Sequence, residues 1–205
     1  MGTIISLDDR RCARARTAAR ARRATFSFDL ADPATYFAAE RVERLPVPLM
    51  WQPAILPGAV PGSAARMTLR ARELGLPMIW PDRYPEPVPV AMRVAAHAGR
   101  EGRGAAFVLA ASRLAFCGGF DLEDPAVLAE AVAAAGLELD AALWAAGDAE
   151  LDVEIHAAGR FLAERGATAM PVVQAGRTLF AGEARLADAA AALRGDGLVR
   201  TPAFR

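Results

Sequence analysis

The chain has 205 residues, 54% of them hydrophobic, and its 24 acidic and 24 basic side chains give a formal net charge of zero. That length supports one good core, or one core carrying an insertion. The charge balance gives no overall attraction to nucleic acid or to an anionic membrane, and no run approaches the roughly 20 apolar residues of a membrane span.

Residues 1–23 hold Arg10, Arg11, Arg14, Arg16, Arg20, Arg22 and Arg23 without sustained apolar periodicity. They read as a basic arm, either a frayed terminus or a segment that meets nucleic acid or lipid headgroups. Asp8 and Asp9 argue against a mitochondrial leader, and no secretory apolar run follows the arginines, so the expected location is cytoplasmic. Residues 24–31 place Phe26, Phe28 and Leu30 on one side by alternation, a strand signal. Asp32 reads as a helix N-cap with Pro33 in the first helical position, and the helix carries Tyr36, Phe37, Val42 and Leu45 until Pro46 stops it. Residues 47–56 are apolar, uncharged and flanked by prolines, and read as a second, buried strand parallel to the first.

From 61 to 158 the pattern becomes helical, broken by proline and glycine. Helices are expected over 64–74, 90–99, 104–116 and 126–135, the last behind the Asp124-Pro125 cap, then a short helix capped by Asp140 and another over 151–165. The sheet resumes with a strand over 169–174, a hairpin turn at Ala175-Gly176 and an antiparallel partner over 178–181. Gly182 precedes a closing helix over 184–193, and 194–205 form a tail. The order βαβ, helical insertion, ββα is that of an α/β thioredoxin-like fold whose middle is expanded: 24–60 and 159–193 make the thioredoxin-like domain, and 61–158 the all-helical insertion.

Chemistry-bearing residues are few. Cys12 and Cys117 are far apart and form no Cys-X-X-Cys pair, so dithiol redox chemistry lacks its usual reagent. Neither His97 nor His156 has a cysteine or carboxylate at a metal-like spacing that recurs, and no metal is expected. Trp51, Trp80 and Tyr84 either pack in the core or line a pocket between insertion and sheet. Asp32 either only caps its helix, a role worth about 1 kcal/mol, or is a pocket-facing functional carboxylate. The Thr35 hydroxyl, one turn inside, either bonds back to the backbone or points into the pocket. A proline at 171 after Met170 ends strand pairing, most simply in the cis form.

Four stretches in order, FDLADPATYFAAERVERL, RELGLPMIWPDRYPEPVPVAMR, FCGGFDLEDPAVL and GATAMPVVQAGRTLFAGEARL, resemble the DsbA-like family, in the branch that contains 2-hydroxychromene-2-carboxylate isomerase and kappa-class glutathione transferase. The resemblance implies a glutathione site. A helix-start serine or cysteine would face the glutathione sulfur, the residue before a cis-proline would pair its main chain with the cysteinyl part, and a glycine-containing turn would take the γ-glutamyl end. By position these roles fall on Asp32 and Thr35, on Met170 and Pro171, and on Gly182, Glu183, Ala184 and Arg185. Two positions depart from the pattern. Asp32 stands in place of the serine or cysteine, where an ionised carboxylate ~4 Å from a thiolate repels it by roughly 1 to 4 kcal/mol. Ala184 stands where an acidic residue meets the ligand's ammonium, with Glu183 one position earlier. The expectation is a glutathione-dependent isomerase or transferase acting on a small unsaturated or aromatic compound, with Asp32 as the altered catalytic residue. The alternative is a family member without thiol chemistry whose groove serves binding or homodimerisation.

Overall fold

The computed structural model describes residues 24–42, 45 and 48–195; the basic arm, Cys12 and residues 196–205 of the tail lie outside the described residues. Strand β1 (Ala24–Phe28) leads through a turn into helix α1 (Pro33–Val42), and β2 (Leu49–Pro53) follows. The insertion holds α2 (Ala64–Leu74), α3 (Pro89–Arg100), α4 (Gly104–Phe116), α5 (Pro125–Ala134), α6 (Leu139–Gly147) and α7 (Glu150–Glu164). Hairpin β3 (Val172–Ala175) and β4 (Thr178–Ala181), a 3-10 turn (Glu183–Arg185) and α8 (Leu186–Gly195) complete the chain. The sheet order is β2-β1-β3-β4; β1 runs parallel to β2 and antiparallel to β3, and β3 antiparallel to β4. Among the described residues no helix is long and apolar enough to cross a membrane.

The local chemistry explains most boundaries. Helices α2 and α4 span the expected residues because glycine punctuates them: Gly75 takes φ 69° after α2 and returns its N–H to Ala71 O and Arg72 O. Asp124 caps α5 by accepting from Ala126 N at 2.8 Å, ahead of Pro125. Other edges differ from the sequence reading. Strand β1 ends at Phe28 because residues 29–32 form a turn, with Asp32 N donating to Asp29 O at 3.1 Å. Strand β2 covers only Leu49–Pro53 and is a half-buried sheet edge. The cap position of α6 is Glu138, and Asp140 lies in the first turn. Strand β3 starts at Val172, directly after a cis Met170-Pro171 peptide, and the hairpin turns at Gly176-Arg177.

Insertion and sheet share one core. Phe26, Phe28, Tyr36, Phe37, Phe107 and Phe116 are fully buried in a single cluster, and each removes ~1.5–3 kcal/mol of side-chain hydration cost by burial. Trp51 packs on Phe26 at 4.6 Å between ring centroids, and Tyr36 on Phe116 at 6.1 Å, so aromatic packing joins β1 to β2 and α1 to the insertion. Cys117, half-buried at the end of α4, donates its thiol to the Tyr36 hydroxyl at 3.0 Å, and that hydroxyl donates to Pro77 O at 3.1 Å. A smaller cluster joins Ala54 and Leu56 after β2 to Leu162 of α7 and to Met170 and Val172. There α7 meets the main chain so closely that a Cβ on Gly159 would run into the Ile55 carbonyl.

Candidate functional site

Helix α1 begins in a turn that orders two carboxyls. Asp32 Oδ1 accepts from Ala34 N at 2.9 Å, Asp32 O accepts from Thr35 N at 2.9 Å, and Pro33 occupies the first helical position. Asp32 is therefore an N-cap, and it also faces a cavity. A cleft of about 320 Å³ is lined by Asp32, Ala34 and Phe37 of the α1 end, Arg66, Met67 and Arg70 of α2, Met170, and Gly182, Glu183 and Ala184. Among the described residues, Asp32 Oδ2 accepts no hydrogen bond. Burial pushes the Asp32 carboxyl up to about 6; the Ala34 N–H and the Arg66 charge oppose the rise, and the Asp29 charge adds to it.

Of the residues expected at the site, Asp32, Met170, Gly182 and Glu183 line this one cleft, and the cis Pro171 shapes its rim by accepting Gly182 N–H at 2.8 Å. Thr35 does not reach it. Its hydroxyl is fully buried and accepts from Asp29 N at 3.3 Å, so it ties the turn to the helix. Arg185 is also turned away, pairing with Asp188 at 2.5 Å and lying over the Phe180 ring at 5.6 Å. Ala184 lines the cleft without a charge. Both oxygens of Glu183 are engaged, Oε2 by Arg41 at 2.8 Å and Oε1 by Arg70 at 2.6 Å. A cationic ligand group at Glu183 would compete with two guanidiniums.

The sequence reading missed three residues here, Asp29, Arg66 and Arg70, and named Tyr84 only as a core or pocket-lining aromatic. Asp29 Oδ1 accepts from Ala31 N at 2.9 Å, and burial raises its carboxyl while that N–H opposes the rise. Arg66 and Arg70, one turn apart on α2, bring positive charge to the cleft; Arg70 is held protonated by its bonds to Glu183 and Glu73. The Tyr84 hydroxyl donates to Gly62 O at 2.5 Å, and burial, with the Asp32 charge adding to it, pushes the group up to about 12. The Asp-X-X-Asp spacing ahead of Pro33 was the available signal for Asp29. His97, half-buried, and His156, exposed, lie away from the cleft, and no group of three metal-ligating side chains exists among the described residues.

A larger hollow of about 690 Å³ opens at the outer edge of β2, but its titratable lining residues, Arg100 and Glu154, pair with each other at 2.5 Å. The smaller cleft gathers Asp32, Arg66, Arg70 and Glu183. Glu183 also joins α1, α2 and the 3-10 turn through its two arginines. Glu183→Gln is expected to cost about 1–3 kcal/mol, read as a lower urea midpoint; an unchanged midpoint contradicts the bridging role.

The family model for the DSBA-like thioredoxin domain matches residues 25–194, and the chain belongs to that family. Among solved structures it is similar to 2-hydroxychromene-2-carboxylate isomerase, with TM-score 0.68 and 17% identity over 87% of this chain and 99% of that one. It is similar as well to a probable DsbA oxidoreductase from Streptomyces coelicolor, with TM-score 0.68 and 22% identity over 89% and 93% of the two chains. At these identities the likeness establishes the fold. No curated protein matches the chain by sequence.

Proposed function

We propose that the chain is a glutathione-dependent isomerase or transferase in which Asp32 transfers the proton, acting on a small unsaturated or aromatic substrate. The observation that carries this reading is the Asp32 carboxyl, which faces the cleft with an oxygen free among the described residues and which burial pushes up to about 6. Glutathione, when bound, supplies a thiol able to add to and leave an unsaturated carbon. Asp32 then serves as general base. Taking a proton from a thiol of ordinary pKa near 8.5 is uphill by about 2.5 units, or about 3.4 kcal/mol, which is far easier than transfer to an ordinary aspartate near 3.9. The transfer neutralises Asp32, so carboxylate and thiolate do not repel each other. The α1 N-terminus and Arg66 stabilise the single negative charge that remains. Disulfide exchange has no support, because the two positions that carry its cysteines hold Asp32 and Thr35.

The test is calorimetric titration at pH 7 with reduced glutathione and with S-methylglutathione, on the native chain and on Asp32→Ser. Expected are binding of both ligands at roughly millimolar affinity or better, no gain in glutathione affinity in the variant, which lacks the proton acceptor, and turnover of unsaturated aromatic acids that rises with pH through about 6 and is lost in Asp32→Asn. Binding of neither ligand overturns the glutathione reading. The engagement of Glu183 and the burial of Thr35 favour a second reading, a groove that binds a partner or a second copy without catalysis; that result would support it.

A further inference from the structure

We propose that Arg66 selects the substrate: its guanidinium takes a carboxylate carried by the small unsaturated or aromatic compound, so the cleft prefers acids to their neutral analogues. The proposal rests on the reading of this cleft as a substrate site and goes beyond it by assigning the group the substrate must carry. The other arginines at the cleft are occupied. Arg41 bonds Glu183 Oε2 at 2.8 Å, and Arg70 bonds Glu183 Oε1 at 2.6 Å and Glu73 Oε2 at 2.8 Å. Arg66 lines the same cleft, is exposed, and makes no ion pair or side-chain hydrogen bond among the described residues. It does not pair with Asp32 either, although both line one cavity. A cation and a carboxyl oxygen thus border the same space without meeting.

The place of Arg66 in its helix points the same way. It stands in the first turn of α2, which holds no acidic residue, and Ser63 at the cap makes no side-chain bond to the helix. A helix start favours negative charge, so an arginine there adds a second positive contribution where no anion of the chain answers the first. Val60 and Gly62, just before α2, line the cleft as well, and the Tyr84 hydroxyl holds Gly62 O at 2.5 Å, which fixes this end of the helix beside the cavity. Phe37, Val60, Met67 and Met170 give the same cavity its apolar surface, and its volume of about 320 Å³ suits a small ring-bearing acid. With the ring on that surface and the carboxylate on Arg66, the free oxygen of Asp32 is left for the reacting atoms.

The experiment is calorimetric titration of the full chain with trans-cinnamate and with trans-cinnamamide, which match in size and unsaturation and differ in charge. The native chain is expected to bind the acid about tenfold more tightly than the amide. Arg66→Gln is expected to bind the two equally, and Arg66→Lys to keep part of the preference, because the charge stays while the planar fork is lost. A merely structural role would weaken acid and amide alike and leave their ratio in place. A native chain without the preference, a chain that binds neither probe, or a preference retained in Arg66→Gln overturns the proposal. Glutathione also carries carboxylates, and its titration separates the two sources: if Arg66→Gln weakens glutathione about tenfold and leaves the cinnamate preference intact, Arg66 serves glutathione and the assignment to the substrate is overturned. The selectivity and the catalytic reading fail separately, because an acid preference that depends on Arg66 while Asp32→Asn retains full turnover overturns only the latter.

Discussion

Asp32→Asn is expected to make the protein more stable at pH 8, by up to about 3 kcal/mol, and to give no gain near pH 4. The sign follows from the raised carboxyl. In the folded chain Asp32 holds its proton up to about 6, against 3.8 for its ordinary value, so between those values the folded state binds more protons than the unfolded state and stability falls as pH rises. The loss is complete above pH 6, where the folded protein carries a half-buried charge. Asparagine cannot ionise, yet it retains an oxygen for the Ala34 N–H. A carboxylate that served only as a cap would behave in the opposite way, its pKa lowered and its replacement neutral or costly at pH 8. Urea unfolding of both proteins at pH 4, 6 and 8 separates the cases; a variant equal to or weaker than the native chain at pH 8 contradicts a destabilised functional carboxylate.

The second large effect lies away from the cleft. Gly159→Ala is expected to lower stability by about 3 kcal/mol, or about 10 °C in Tm, although alanine is the better helix former by about 1 kcal/mol. A Cβ at 159 meets Ile55 and Leu56 main chain, which cannot move aside as a flexible side chain would. To make room, α7 must lift from the segment after β2, and with it the packing of Leu162 against Met170. Because Met170 lines the cleft, glutathione binding is expected to weaken along with stability. Gly147→Ala is the control, since a Cβ there meets nothing within 4 Å. Calorimetric melting of the two variants decides the point: a Gly159→Ala chain as stable as the native one contradicts the close packing of α7.

Much of this architecture was legible because local chemistry and tertiary packing agree. The alternation of Phe26 and Phe28 marks a core strand, Asp32-Pro33 marks a helix start, and glycine ends α2 where a left-handed residue is required. Strand β2 was overextended because an apolar, proline-flanked run does not reveal where pairing stops; its register with β1 closes at Phe28 opposite Pro53. The site was legible where a backbone feature marks it, at the cap, the cis-proline and the Gly182 turn. Elsewhere it was not. Arg66 and Arg70 lie on a polar helix face that any exposed helix could carry, and only the docking of α2 brings them to Asp32. The Arg41 to Glu183 pair joins residues 142 positions apart, and Arg185, placed at the site by position in the turn, is drawn off by Asp188 and Phe180.

A proton-transferring Asp32 titrates near neutral pH in the native chain. Followed by carboxyl carbon NMR from pH 3 to 9, Asp32 is expected to show a midpoint at about 6 that moves when glutathione is added. A midpoint below about 4, in the ordinary aspartate range, and unmoved by glutathione would contradict the account and leave Asp32 as a helix cap.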